Sequence, residues 1–370
     1  MNSSPSMAAI AKAANVAKST VSLALRNDPR VSVEARERIQ GIAQKMGYKN
    51  NALVARLMYE LRTAGKQRYI GSLAFVNVHR VAELRKISGH VNSWLVGGEQ
   101  QANRLGYSVD HFWLNDPELS AERLSRIFYA RNVQGVIFYG LLDEPCLHGC
   151  ESIWEHFPSV SIGSRLRKPA LHFVSNDHYF TAMQACEQLA IRGYSRIGLI
   201  LDRLLDNILE HRFVAGYRES CLDQQNNFPV LYLDDVREYP HTEGKRKFIE
   251  WFNTYHPDAC ICLNSFILDW IKELGIKIPD EMGVAFLDLP KEIKGKAAGM
   301  EQQAEWTGMT ATDMIIGQIL RREVGLPPFQ RGILIESQWC PGPTVREEIP
   351  SPAVSAKRRG RKSAKEKTAN

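Results

Sequence analysis

The chain has 370 residues, more than one ordinary compact domain and about right for a small domain followed by a large bilobed one. Its composition, 44% hydrophobic and 24% charged, is that of a globular protein, and it contains no run of about 18 apolar residues able to span a membrane. The net charge of +6 is spread unevenly: residues 1–68 carry 12 Lys/Arg against 4 Asp/Glu, residues 69–350 carry 28 against 36, and residues 351–370 carry 7 against 1. Basic ends suit a polyanion, while an acidic body keeps one at a distance.

The opening MNSSPSM has no basic run followed by an apolar one, so no secretory signal is expected and the expected compartment is the cytoplasm. Cys146, Cys150, Cys186, Cys221, Cys260, Cys262 and Cys340 are odd in number and scattered, which is no disulfide framework. The segment CLHGC (146–150) gathers two thiols and His148 but lacks a second Cys/His pair, so a surface turn is expected rather than zinc. Neither a metal nor a cofactor is expected elsewhere.

Residues 8–25, AAIAKAANVAKSTVSLAL, predict two short helices. Ile10, Ala11 and Ala14 line the first, and Val21 and Leu25 share a face of the second. Small side chains let the helices cross closely, and Asn15 tolerates the left-handed turn between them. A third helix follows in VSVEARERIQGIAQKMGY (31–48), with Ser32 as N-cap, Glu34 in the first turn, and Ala35, Ile39, Ile42, Ala43 and Met46 on one stripe. Three short helices around one apolar centre make a helix-turn-helix domain.

The run AKAANVAKSTVSLALRNDPRVSVEARERIQGIAQKMGY resembles the DNA-binding headpiece of the LacI/GalR family of transcriptional regulators over its whole length, through Val16, Ser19-Thr20-Val21-Ser22, Asn27, Val31-Ser32, Arg36, Arg38-Ile39 and Gly47-Tyr48. The resemblance implies that the second helix enters the major groove of double-stranded DNA. Lys18 and Ser19 then stand at the first base-reading positions; Lys18 suits guanine O6/N7 or a phosphate, and Ser19 several bases. Thr20 and Ser22 offer hydroxyls to phosphates, with helix capping or solvation as the alternative. Leu23 stands where many relatives have a polar reader; it suits a thymine methyl. Ala17 replaces the usual capping Ser.

After Tyr48 the family has a proline, an asparagine and a short hinge helix. Here KNNALVARLMYELRTAGKQRYIG places Asn50 at the proline and keeps Asn51. In relatives paired hinge helices push a leucine into the minor groove. Leu57 matches counting from Gly47, and Leu61 almost as well counting back from Gly71, the segment being about one turn longer than usual. Arg56 and Arg62 flank them. An amphipathic linker helix without a wedge is the alternative.

From residue 69 strands and helices alternate. RYIGSLAFVNV (68–78), YSVDHFWL (107–114) and VQGVIFYG (133–140) read as strands, separated by helices near Trp94–Leu105, ending at the C-cap Gly106, and at 120–132. PSVSIG, LHFVSND, RIGLIL, PVLYL, ACICLN and GVAFLDL continue the series. Such alternation means parallel sheets covered by helices, with ligands at the carboxyl ends of the strands. The stretches VSNDHYFTAMQACEQLAIRGYSRIGLI, HRFVAGYRES, PDACICLN, LGIKIPDEMGVAFLD and QQAEWTG resemble the two-lobed, periplasmic-binding-protein-like body of the same family.

The fold class expected is therefore α/β: a small all-α headpiece (1–49), a hinge (50–68), a two-lobed effector-binding and dimerisation domain (69–346) and a disordered basic tail (347–370). The resemblance implies three crossings between lobes, placing them near 69–166 with 291–323 and 167–290 with 324–346. It also carries effector positions over to Asp177, Arg212, Asn264, Asp288 and Gln302, whose carboxylate, amide and guanidinium groups suit a polyhydroxylated molecule; loop capping is the alternative for any one of them. Arg212 lies one residue farther than usual from Gly216, and Ser265 replaces a common Asp.

No P-loop, G-x-S-x-G elbow or H-E-x-x-H is present, and the histidines are scattered without partner spacing, so no enzyme is expected. The expected function is a sequence-specific regulator, a repressor working as a homodimer on a pseudo-palindromic operator under a small polar effector such as a sugar. A cytosolic sugar-binding receptor or sugar-handling enzyme is the alternative; it leaves the basic headpiece unexplained. In the tail, Arg359-Gly360-Arg361 resembles the core of a minor-groove AT-hook without its prolines.

Overall fold

The computed structural model describes residues 7–25, 31–46, 70–140, 147, 149–221, 229–234 and 242–349. The hinge residues Asn51, Arg56, Leu57 and Leu61, Cys146 and His148 of the CLHGC segment, and the tail arginines Arg359 and Arg361 lie outside the described residues. The chain divides into two compact units, Met1–Arg68 and Tyr69–Asn370.

The first unit holds α1 (Met7–Ala14), α2 (Lys18–Leu25) and α3 (Val33–Lys45). Asn15 turns α1 toward α2 with φ of 50°, a conformation asparagine accepts more readily than most side chains. Ile10, Ala14, Val21, Ala24 and Ile39 are almost wholly buried at the shared centre. The alanines keep the helices close, and Gln40 of α3 donates to the Ala24 carbonyl at 2.9 Å, satisfying a C-terminal carbonyl of α2. Ser32 caps α3 by accepting from the Ala35 N–H at 3.3 Å.

The second unit contains two six-stranded sheets. The first is built from β1 (Gly71–Asn77), β2 (Tyr107–Trp113), β3 (Val133–Tyr139), β4 (Ser159–Ile162), β5 (His172–Asn176) and β11 (Gly332–Ile335), in the order β11-β5-β4-β3-β1-β2 and parallel throughout. The second contains β6 (Ile197–Asp202), β7 (Leu231–Leu233), β8 (Ala259–Cys262), β9 (Gly283–Phe286), β10 (Ala298–Glu301) and β12 (Gln338–Cys340), in the order β12-β10-β9-β8-β6-β7. Only the β10–β12 pair is antiparallel. Between the strands run α4 (Leu84–Ile87), α5 (Gly89–Arg104), α6 (Ala121–Ala130), α7 (Glu151–Trp154), α8 (His178–Ala190), α9 (Arg203–Ile208), α10 (Arg212–Cys221), α11 (Thr242–Tyr255), α12 (Phe266–Glu273) and α13 (Ala304–Arg321). The central strands β1, β4, β5, β6, β8 and β9 are buried along their whole length, as parallel strands covered by helices on both faces must be.

The chain crosses between the lobes three times: at Asp177, between Glu301 and Ala304, and between Ile335 and Gln338. The expected lobe limits are corrected by this. The segment 167–176, with β5, belongs to the first lobe; 291–301, with β10, belongs to the second; and β11, within 324–346, returns to the first. LHFVSND is one strand pairing with β4, so the chain changes lobe after it rather than before it.

Each lobe has a helix pair in backbone contact. A Cβ on Gly308 of α13 would lie 1.9 Å from the Trp94 carbonyl oxygen of α5, and one on Gly216 of α10 would lie 2.0 Å from the Tyr179 carbonyl oxygen of α8. Chain packing continues to Ile349, whose N–H donates to the Ile191 carbonyl at 3.2 Å. Six cysteines among the described residues are free thiols, and no helix among them is long and apolar enough to cross a membrane.

Candidate DNA-reading helix and ligand cleft

Helix α2 buries Val21 and Ala24 and leaves Lys18 and Ser19 exposed at its N-terminal end, with Thr20 partly exposed. This is the disposition a reading helix needs: one face anchored, the first turn free to reach base edges and phosphates. Leu23 is half-buried and packs against the headpiece core, so only part of it is offered outward. The side chain of Ser22 and the hinge residues lie outside what the structure describes. Nothing caps α2 through position 17, where Ala17 has no side-chain acceptor; its carbonyl accepts from the Val21 N–H at 3.2 Å.

In the second unit the expected ligand residues stand at or just past strand ends. Asp177 follows β5, Asn264 lies two residues beyond β8, Asp288 two beyond β9, Gln302 directly after β10, and Arg212 opens α10. The structure brings them into two adjoining groups rather than one ring, and leaves Asn264 apart.

The first group joins the lobes. His90, on the first turn of α5, meets Asp288 of the opposite lobe with Nδ1 and Oδ2 2.9 Å apart. Asn176, at the end of β5, donates to the Gln302 carbonyl at 2.7 Å, and the Gln302 amide donates to the Leu287 carbonyl at 2.9 Å. Gln302 therefore ties a crossing strand in place with both its main chain and its side chain. Burial works against a charged His90. The Asp288 carboxylate outweighs this through its charge and hydrogen bond, with Asn176 adding to it, and the imidazole pKa is held above its ordinary value. Trp94 packs edge-on against His90 at 4.7 Å between centroids, its indole N–H buried without a partner.

The second group surrounds a pocket whose polar lining is Ser164, Arg165, Ser175, His178, Glu210 and Arg212. Asp177 caps α8, accepting from the Phe180 N–H at 3.1 Å, and so serves the local turn that presents His178. His178 is 6% exposed, packs edge-on against Phe213, and its buried Nδ1 has no hydrogen-bond partner. Burial, then the positive charges of His90 and Arg212, push its pKa down to about 3, with Asp288 opposing. Glu210 and His211, which lead into Arg212, are both left-handed at φ 54° and 58°. Arg212 turns back toward Glu210, with Nη2 and Oε2 3.5 Å apart.

Among the described residues no hydrogen bond joins the half-buried Asn264 side chain to the other four. His90 and His178, which the sequence shows only as scattered histidines, converge on the cleft from different lobes; no short-range spacing signals that. Among the described residues no group of three His, Cys, Asp or Glu could hold a metal.

Comparison with known proteins accounts for both units. Residues 6–51 match the family described as bacterial regulatory proteins, lacI family, and residues 186–342 match the periplasmic binding protein-like domain. The HTH-type transcriptional regulator GalR of Streptococcus thermophilus is 25% identical over 332 residues, 85% of this chain and 92% of that protein. MalR of Streptococcus pneumoniae, also an HTH-type transcriptional regulator, is 28% identical over 272 residues, 71% of this chain and 76% of that protein. Among solved structures, a transcriptional regulator CelR–cellobiose complex superposes with a TM-score of 0.58 at 19% identity, covering 93% of this chain and 100% of that one. A lac repressor dimer bound to operator and an anti-inducer gives 0.57 at 17% identity, covering 93% and 99%.

Proposed function

We propose, from the premise that this chain is a DNA-binding transcriptional regulator of the LacI family, that it represses its target genes in the cytoplasm as a homodimer on a pseudo-palindromic operator. Operator affinity is set by a small polar effector, a sugar or sugar derivative, held between the two lobes. The observation that carries this reading is the pairing, in one chain, of a helix with an exposed Lys18-Ser19 end and a two-lobed body whose polar strand ends meet at a cleft. One short helix reads few bases, and two-fold symmetry doubles the site. A relative's structure holding cellobiose supports the sugar class.

Within this reading Lys18, Ser19 and Leu23 face bases, while Thr20, Ser22, Asn51 and Arg56 hold backbone. Leu57 or Leu61 enters the minor groove. Asp177, Arg212, Asn264, Asp288 and Gln302 surround the effector, Asp177 and Gln302 also bracing the crossings. Selection from random DNA tests it. The selected site should be two-fold symmetric, and scrambling one half-site should lower affinity by orders of magnitude. Lys18→Ala should weaken binding by about 1–3 kcal/mol, and Leu23→Arg should change the preferred base at one symmetric position. A single half-site bound as tightly as the pair overturns the dimer, and an unchanged sequence preference for Leu23→Arg removes Leu23 from the reading set.

A further inference from the structure

We propose that the effector is anionic, a sugar acid or a sugar phosphate, with its acidic group held between Arg165 and Arg212. This deepens the reading above and rests on the cleft being the effector site.

Charge is the first ground. Arg165 and Arg212 both line the pocket, and Arg167 stands at its edge with Nε 2.9 Å from Glu210 Oε1. Three guanidiniums thus gather around Glu210, while the other two carboxylates of the cleft are engaged elsewhere, Asp177 in capping α8 and Asp288 in its pair with His90. Burial alone would raise the Glu210 pKa, yet the hydrogen bond from Arg167 and the charges of Arg165, Arg167 and Arg212 lower it. Among the described residues Arg165 has no carboxylate within 4 Å; its Nε donates to Gln330 at 2.9 Å. An uncharged polyol entering here would strip water from these cations without supplying a counter-charge, which is costly; an anion supplies it.

Backbone geometry is the second ground. His178 and Arg212 are the first residues of α8 and α10, and both line the pocket; the N-terminus of α8 is capped by the Asp177 carboxylate, so that of α10 is the one offered to a ligand. Helix N-termini carry partial positive charge and stabilise anions. Buried among them is the unpartnered Nδ1 of His178. The ring is neutral at ordinary pH and can accept from, or donate to, a group of the ligand beside its acid function.

Glu210 completes the picture. It is held in a left-handed conformation that costs a non-glycine residue energy, and its carboxylate spans Arg167 and Arg212. It acts as a resident counter-ion whose place beside Arg212 the ligand's anion takes or shares.

The test is titration of the full chain, followed by thermal stability and calorimetry, with matched sets: glucose, gluconate, glucuronate and glucose 6-phosphate, and the corresponding galactose and fructose sets. The acidic members should raise the melting temperature and their neutral parents should not; the carboxylate and phosphate arms tell the two sources apart. Arg165→Gln, at an exposed position, and Arg212→Gln should each weaken the acidic ligand about tenfold or more. Glu210→Gln should tighten it. Binding of a neutral sugar but no acid overturns this inference and leaves the effector cleft standing. An acid whose affinity is unchanged in both arginine variants overturns it as well. Absence of any binding in the cleft overturns the effector reading itself.

Discussion

Two histidines of the cleft respond to pH in opposite directions, and the reason lies in a few ångströms of surroundings. His178 is buried beside positive charge and its pKa falls from 6.5 to about 3. As pH drops below 6.5 the unfolded chain takes up this proton while the folded chain does not, so stability is fully present above that value and declines between 6.5 and about 3. The slope reaches about 1.4 kcal/mol per pH unit. His90 has the contrary sign: its folded pKa is raised by Asp288, so the pair's stabilisation is complete below 6.5 and is lost as pH rises through the folded value. His178→Leu should therefore flatten the acid limb, and urea unfolding at about pH 5 and about pH 7 should show wild type losing stability that the variant keeps. An equal loss in both would mean that His178 is protonated in the folded chain. Neither behaviour is legible in the sequence. The His90–Asp288 pair joins the first turn of α5 to a loop of the other lobe, and the unpartnered Nδ1 of His178 depends on how α8 packs against α10.

At the scale of elements the sequence was most legible where the physics is local. The Asn15 turn, the Ser32 cap and Gly106, at φ 85°, follow from the residue types alone. The central strands of both sheets are buried along their whole length, and they lie where the alternation predicts. The strands β10, β11 and β12 were not predicted. They are three or four residues long, AGME and QWC lack a branched run, and GILI is largely exposed. They exist because the chain re-enters a sheet already formed, a non-local cause, and the misplaced crossings have the same origin. Helix contact also depends on single residues. On α5 a Cβ at Gly97 would lie 2.0 Å from the Glu305 carbonyl oxygen, matching Gly308 on α13 across the same interface. Gly308→Ala should cost about 1–3 kcal/mol or more, since the neighbour is backbone and cannot rotate away. Gly89→Ala, at the open start of α5 with nothing within 4 Å, should stay within about 0.5 kcal/mol of wild type. Chemical denaturation of the two variants checks this; equal stabilities would show that the helices can part without cost.

For the whole molecule, the separation of charge is the property most readily tied to regulation. The first 68 residues carry a net +8 and residues 69–350 a net −8, so phosphate attraction is concentrated in the part that reads DNA. What joins the two parts is the segment 50–68, in which Leu57 and Leu61 stand four residues apart in sequence; we propose that one of them is the leucine that enters the minor groove. A leucine inserted at a base step costs a few kcal/mol of unstacking, offset by the contacts that bent DNA adds. If effector binding alters how that segment meets DNA, effector and operator must weaken each other by the same factor. Energy transfer between dyes at the two ends of an operator duplex reports the bend. Of Leu57→Ala and Leu61→Ala, the one that removes the true wedge should lose bend and operator affinity together, while the other retains both. Should neither alter the bend, the segment is a tether, and the cleft must act on the headpiece without deforming DNA.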